Sequence, residues 1–248
     1  MFHLEVEMAP VATQTDDLMG LLQQDGFYMV PEVIDAADVA RLADELAEVA
    51  AASYPRRGDA VFGIRNLLRL SSAVRELAHS HAVRRLITPV LGVAAFPVRG
   101  IFFDKTPGAN WKVPWHQDLA IAVRERRDVP GFMGWSMKEG VPHVQPPTEI
   151  LERMLTLRLH LDPCGPDDGP LLVLPGSHAR GRLDPSEVER WRRDAAPVEC
   201  HVRAGGAVVI RPLLLHASHQ AARPSRRRVV HLEYAAEALP GGLEWWDR

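Results

Sequence analysis

Trp115-His116-Gln117-Asp118 sets a histidine and an aspartate two positions apart, and His216 follows about a hundred residues later in Leu215-His216-Ala217-Ser218. Side chains on a β-strand alternate with period two, so on a strand His116 and Asp118 share a face. A histidine from a second strand then completes three ligands on one side of a metal ion. That is the two-histidine, one-carboxylate arrangement of non-haem Fe(II) sites, with the opposite coordination positions open to small molecules. His116, Asp118 and His216 are thus the candidate metal ligands and the candidate catalytic residues.

The elements around them must bring distant strands together. The first ~95 residues read as mainly helical. Thr15 to Gln24 is short and amphipathic, and Phe27 to Val30 reads as a strand. Ala36 to Ala52 carries Val39, Leu42, Leu46 and Val49 at helical spacing, with Asp35 or Asp38 as N-cap. Ser71 to Leu91 repeats the pattern and Gly92 ends it. Beyond Ala94 the character turns to β. Short runs at Phe96–Phe103, Val113–Asp118, Met154–Leu161, Pro170–Leu174, Glu199–Val202, Ala207–Ile210 and Val229–Tyr234 are separated by Gly, Pro and Asp turn signals. This predicts a mainly β chain with helical support, a sandwich or jelly roll. Arg124 to Pro147 is rich in Gly, Pro and charge and too long for a plain connection, which predicts a lid or binding loop.

Composition is that of a globular protein: 248 residues, 46% apolar, 25% charged. A net charge of −3 gives no overall footprint for nucleic acid. No run approaches the ~18 apolar residues of a membrane span. Met1 to Glu7 does not read as a secretory signal, and Cys164 and Cys200 are too few for a disulfide framework. A cytoplasmic protein with a small-molecule substrate, without nucleic-acid or membrane partners, is expected; composition leaves the oligomeric state open.

His116-Gln117-Asp118, Asp168-Gly169-Pro170-Leu171, Leu174-Pro175-Gly176-Ser177-His178, and Leu215-His216-Ala217-Ser218 followed by arginine resemble, in this order, the motifs of the phytanoyl-CoA dioxygenase (PhyH) family. The resemblance covers roughly residues 95 to 235. It implies a double-stranded β-helix, the cupin-like jelly roll, with Fe(II), 2-oxoglutarate as co-substrate, and O2. It makes His116, Asp118 and His216 the iron ligands and Ser218 a contact to 2-oxoglutarate. It also makes Arg227, about eleven residues after His216, the partner of the distal carboxylate, a role that suits a planar guanidinium. Arg226 and Arg228 flank it, and on a strand they take the opposite face. Gln117, turned away from its neighbours, is expected to support the cofactor site rather than ligate.

Other residues carry weaker expectations. Lys105 could reach a carboxylate, although a surface strand end is the plainer reading. Arg65 lies near where the family keeps another basic contact. His219 competes with His216 for the third ligand, and Ser218 favours His216. His160 and His231 are expected as core histidines bonded to backbone, and His178 as structural. Trp135 could line a substrate pocket, and Trp245 and Trp246 should pack against the barrel or a partner. Arg124, Arg126, Arg127 and Lys138 would suit an acidic substrate, and a solvated lid fits them equally well.

The expectation is one dioxygenase domain over 1–248, helical to about 95 with a jelly-roll core over 96–236. It would be an oxidoreductase that hydroxylates a C–H bond of a small molecule and releases succinate and CO2. Asp118 argues against halogenation, while desaturation and cyclisation stay open. Two alternatives stand beside it: a catalytically silent jelly-roll binding protein, and a cupin-type enzyme using another divalent metal.

Overall fold

The computed structural model describes residues 15–53, 63–223 and 226–248. The N-terminal segment read for a signal lies outside them. Along the chain run α1 (Thr15–Gln24), β1 (Phe27–Val30), α2 (Ala36–Ser53), β2 (Gly63–Ile64), α3 (Leu67–Leu70), α4 (Ser72–His79), α5 (His81–Leu91), β3 (Phe96–Lys105), β4 (Val113–His116) and β5 (Ile121–Ala122). Then follow β6 (Met133–Lys138), β7 (Val141–Gln145), α6 (Thr148–Glu152), β8 (Leu155–His160), β9 (Leu171–Val173), α7 (Pro185–Asp194), β10 (Val198–Cys200), β11 (Ala207–Ile210), β12 (His216–Ser218) and β13 (Arg227–Ala235).

The strands form a six-stranded sheet in the order β1-β11-β8-β13-β3-β2, a four-stranded sheet β10-β9-β12-β4 and a three-stranded sheet β5-β7-β6. Among the described residues every strand pairing within them is antiparallel, with strands distant in sequence brought side by side, as in a jelly roll.

Alternation along the strands decides what each face does. On β8, Leu155, Leu157 and Leu159 join Val230, Leu232 and Tyr234 of β13 in a core shared with α1, α2, α4 and α5. The intervening Arg158 of β8, with Arg227, His231 and Glu233 of β13, faces the inside of the roll. Helices therefore back the large sheet and leave its inner face free for polar groups. At one end the interior is closed by a second apolar core, where Phe27, Met29, Val208 and Ile210 of the large sheet meet Leu171, Val173 and Cys200 of the four-stranded sheet.

Several sequence expectations need adjustment. The predicted helix over 71–91 is two helices, because the Ser80 hydroxyl accepts from the Val83 N–H and starts a new one. Asp35 caps α2, accepting from the Asp38 N–H at 2.9 Å. The stretch 124–147 is not an open loop: it contains the hairpin β6–β7, pinned to β5. The strand predicted to 118 stops at His116. The helix α7 carries a capping box, with Asp184 accepting from Ser186 and Glu187 N–H while Glu187 accepts from the Asp184 N–H. No helix among the described residues is long and apolar enough to cross a membrane.

Candidate metal centre

His116 and His216 are direct partners across the β4–β12 ladder, which sets neighbouring side chains within contact range. Their ring centroids are 4.2 Å apart. Each ring is oriented by the same local device: Nδ1 lies 2.8 Å from the Pro114 carbonyl in His116 and 2.9 Å from the Leu214 carbonyl in His216. With Nδ1 occupied as donor, each neutral ring offers its Nε2 lone pair. Asp118 lies past the end of β4, but its N–H donates to the Pro212 carbonyl, so the loop before β12 holds it beside both rings. His116 Nε2 is 3.8 Å from one Asp118 carboxylate oxygen and His216 Nε2 is 3.7 Å from the other. These separations are too long for hydrogen bonds and leave room for an ion. One donor atom from each of the three residues falls within 4.8 Å of the others.

Electrostatics fit a cation here. Asp118 Oδ2 is buried and has no hydrogen-bond partner among the described residues, a costly state for a carboxylate unless something positive is bound. Burial alone would push the Asp118 carboxyl up, yet His216, His231, His116 and Arg158 together hold it down to about 2. Burial pushes His216 down to about 4, so its imidazole is neutral and able to ligate at neutral pH. His219, the competing candidate, is exposed. Its backbone carbonyl accepts from Lys105 Nζ at 2.9 Å.

Gln117 points the other way and is fully committed. Its amide donates to the Gly181 and Leu213 carbonyls at 2.8 and 2.6 Å and accepts from the Leu183 N–H at 2.9 Å. It thus braces the loop that carries Asp118, rather than offering free hydrogen-bonding capacity to a cofactor.

The three candidate ligands line a cavity of about 450 Å3. Its inner wall is cationic. Arg227 is buried; its guanidinium donates to the Gly169 carbonyl and lies 3.9 Å from Cys164 Sγ. Arg226 and Arg228 leave from the other face, where they pair with Asp104 at 2.8 Å and Asp162 at 2.7 Å. The turn that supplies the Gly169 carbonyl needs glycine: φ is +63°, and a Cβ would meet the His219 carbonyl at 2.6 Å. Lys105, directly across the ladder from Arg227, is not a surface strand end but 2% exposed. It donates to Ser218 Oγ at 3.1 Å. Burial and then the Arg227 charge push its ammonium down to about 7. Arg158, pushed down to about 10 by burial and Arg227, reaches His231 Nδ1 at 3.0 Å, and His231 Nε2 lies 3.2 Å from Glu233. His231 is therefore a relay between charged side chains, not a backbone-bonded core histidine, and His160 Nδ1 has no hydrogen-bond partner among the described residues.

Sequence reasoning missed Arg158 and Glu233. The available signal was alternation: Arg158 shares a face of β8 with Thr156 and His160, and Glu233 a face of β13 with His231 and Arg227, opposite the apolar faces that pack on the helices. Arg65 also lines the cavity, paired with Glu139 at 3.1 Å. Trp135 does not line it; it packs against the core beneath the small sheet, with Arg126 over its ring. Trp245 is buried in that same core, and Trp246 lies under Arg69. His178 is packed against Gly26, as a structural residue would be.

Fold and cluster together define a jelly-roll protein built around a His–Asp–His site. The chain belongs to the phytanoyl-CoA dioxygenase (PhyH) family, whose model matches residues 22–229. It is similar to the ectoine dioxygenase of Stutzerimonas stutzeri (strain A1501), 24% identical over 193 residues, which are 72% of this chain and 54% of that protein. The chain thus spans about half the length of that curated relative. Among solved structures, AviO1 from Streptomyces viridochromogenes Tue57 superposes with a TM-score of 0.66 at 24% identity, covering 92% of this chain and 98% of that one. EctD from S. alaskensis with 2-oxoglutarate and 5-hydroxyectoine gives 0.69 at 18%, covering 93% and 80%. These likenesses establish the jelly-roll fold.

Proposed function

We propose that the chain is an Fe(II)- and 2-oxoglutarate-dependent dioxygenase that hydroxylates a C–H bond of a small molecule, with succinate and CO2 as the other products. The observation that carries it is the His116–Asp118–His216 cluster set in the same cavity as a buried wall on which the cations Arg99, Lys105, Arg158 and Arg227 outnumber the single carboxylate Glu233. Family membership supports the reading, and one structural neighbour, EctD from S. alaskensis, has been solved both with bound Fe and with 2-oxoglutarate. The residues 1–248 are read as one such domain, acting in the cytoplasm; two buried free cysteines suit a reducing compartment.

His116, Asp118 and His216 would hold the metal, with Nδ1 of each ring fixed by a backbone carbonyl so that neither imidazole can turn away. Iron supplies the O2 and one-electron chemistry that side chains lack. Arg227 and Lys105 receive the distal carboxylate of 2-oxoglutarate, and Ser218, bonded to Lys105, joins them. Arg158 keeps the floor of the cavity positive while its bond to His231 prevents it from swinging onto Asp118. Phe103, Leu171 and Trp111 line the same cavity and limit water around the reacting groups.

The test is anaerobic titration of 2-oxoglutarate into the Fe(II)-loaded protein, followed by admission of O2. A metal-to-2-oxoglutarate absorption band and slow succinate release without substrate are expected. Iron-loaded, folded protein that shows neither band nor succinate would overturn the reading in favour of a silent binding protein. Tight retention of zinc, manganese or nickel against Fe(II), without succinate, would favour a different metalloenzyme.

A further inference from the structure

The cations of the cavity fall into two groups at opposite ends of one strand. Lys105 sits across from Arg227 and Arg99 across from Glu233 in the β3–β13 register. Six residues of strand separate them, roughly 20 Å at about 3.3 Å each. Lys105 feels the charges of Arg227 and Arg158. At the other end Lys138 feels those of Arg99 and Arg65 and, after them, the opposite charges of Glu233 and Asp118. A 2-oxoglutarate whose C1 end lies at the His–Asp–His cluster has four carbon–carbon bonds of about 1.5 Å with which to reach a cation, ~6 Å in all. Held by Lys105 and Arg227, it cannot also serve the second group.

The second group is short of negative charge. Arg99 is committed to Glu233 at 3.0 Å and Arg65 to Glu139 at 3.1 Å. Lys138, half-buried on β6, lines the cavity and has no ion pair among the described residues. The Arg65–Glu139 pair ties the β6–β7 turn to the end of β2, which holds Lys138 beside the two arginines instead of letting it leave for solvent. Taken whole, six cationic side chains and two carboxylates, Asp118 and Glu233, line the cavity. With Arg65 matched by Glu139 from outside the lining, the two carboxylates of 2-oxoglutarate would leave one positive charge unmatched before the metal's own charge is counted. A cationic substrate would meet repulsion here, and a neutral one would leave Lys138 poorly compensated.

We propose that the substrate carries an oxyanion group, carboxylate or phosphate, bound by Lys138 at the Arg65–Arg99 end of the cavity. This rests on the dioxygenase reading, which assigns the Lys105–Arg227 end to 2-oxoglutarate. Of the basic residues in 124–147, Lys138 is the one that faces the cavity; Arg124 pairs with Glu244 and Arg127 with Glu125.

The test uses inorganic sulfate as the probe anion. Thermal melts of the Fe(II)- and 2-oxoglutarate-saturated protein under argon are compared in sodium sulfate and in sodium chloride of equal ionic strength, for wild type, Lys138→Gln and Arg227→Ala. Sulfate at tenfold excess over its dissociation constant should raise the wild-type Tm by about 3–6 °C beyond chloride. Lys138→Gln should lose most of that rise, and in chloride should melt no lower than wild type, since it removes a cation from beside two others. An equal sulfate response in wild type and Lys138→Gln overturns the proposal. So does a response lost only in Arg227→Ala, which places the anion at the other end. A Lys138→Gln protein that melts well below wild type in chloride overturns it too, because Lys138 is then a structural partner. The absorption band recorded on the same samples reports separately on the dioxygenase reading: its absence in wild type fails that reading, whatever sulfate does. A substrate screen of acids against their amides then separates carboxylates from phosphate esters.

Discussion

The two larger sheets meet across the cavity and are held together by different means. In the six-stranded sheet, β3 and β13 run ten and nine residues and pair almost without interruption, with helices packed behind. That ladder presents Arg99, Lys105, Arg158 and Arg227. In the four-stranded sheet β9, β10 and β12 have three residues each, and the β4–β12 register slips between His216 and Ser218. This weaker ladder presents His116, His216 and, just beyond β4, Asp118. What its backbone lacks, buried polar side chains supply. Gln117 ties three segments, Ser177 bridges the Leu174 carbonyl and the Leu215 N–H, and Asn110 clasps Ala221 from both sides. The cations are thus placed by secondary structure and the ligand cluster by individual hydrogen bonds. The small sheet should therefore be the more easily disturbed by single substitutions that touch no ligand.

The largest effect expected is on metal content. His116→Ala, Asp118→Ala and His216→Ala should each reduce bound iron to background by elemental analysis, while the far-ultraviolet spectrum stays that of a folded protein. Because its neighbours hold the Asp118 carboxyl down to about 2, the ionised group favours the folded chain at neutral pH, so the metal-free Asp118→Ala protein should melt modestly below wild type there and lose that difference as pH falls toward 2. His219→Ala should keep its iron. Iron lost at His219 and retained at His216 would reverse the assignment of the third ligand.

On the large sheet, Arg227→Ala should weaken 2-oxoglutarate far more than iron. Truncating one side of a buried charge pair costs roughly 2–5 kcal/mol, at least ~30-fold in affinity. Arg226→Ala should be mild, because its guanidinium is spent on Asp104 on the far face. Anaerobic titration of each variant through the charge-transfer band reads the difference. A large loss at Arg226 with little at Arg227 would mean that the inner face of β13 does not hold the co-substrate.

On the small sheet, Gln117→Ala should lower stability by about 2–3 kcal/mol, since it strands two buried carbonyls and an N–H. Urea melts at constant m-value measure this. Iron affinity should fall with it, as Asp118 is no longer braced. A matched loss of stability with unchanged iron affinity would show that the Pro212 carbonyl alone holds Asp118 in place.

How much of this was legible beforehand differs between the same two sheets. The Arg226–Arg227–Arg228 alternation depends only on strand period and could be read directly, whereas β4 ends at His116 and the bond from the Asp118 N–H to the Pro212 carbonyl, invisible in the spacing, sets that carboxylate beside the two rings. The jelly roll followed from short runs between turn signals. Lys105 was not legible: a lysine at the end of a strand is ordinarily solvated, and its burial comes from β12 and the Gly169 turn closing over it, which no local pattern encodes. Glu233 and Arg158 were missed for a related reason: Leu155-Thr156-Leu157-Arg158-Leu159-His160 does alternate, but nothing local tells whether its polar face meets solvent or an internal cavity. The helix α7 was missed differently. Asp184-Pro185-Ser186-Glu187 is a readable start signal, but the helix is strongly polar and only Val188 and Trp191, at helical spacing, pack on the core, too few apolar residues to draw attention.

The smallest expected effect tests whether the long ladder alone sets the chemistry at its end. Burial and Arg227 push Lys105 down to about 7, so without co-substrate it loses its proton as pH rises through neutrality. The sign for folding follows. Below about 7 lysine is protonated in both folded and unfolded chains, and its burial penalty is fully felt; between about 7 and the ordinary lysine range the unfolded chain keeps a proton that the folded one has shed, so this group makes stability rise with pH. Binding works in the opposite direction. A carboxylate placed beside Lys105 favours the charged ammonium, so 2-oxoglutarate binding at pH 8 should take up a fraction of a proton, and its affinity should weaken from pH 6.5 to pH 8.5 by less than tenfold per pH unit. Calorimetry in buffers of different ionisation enthalpy measures the uptake. Lys105→Met should abolish it and flatten the pH dependence, while Arg158→Met should leave it. Proton uptake that persists in Lys105→Met would assign the titrating group elsewhere, and the β3–β13 pairing of Lys105 with Arg227 would then hold the co-substrate by the guanidinium alone.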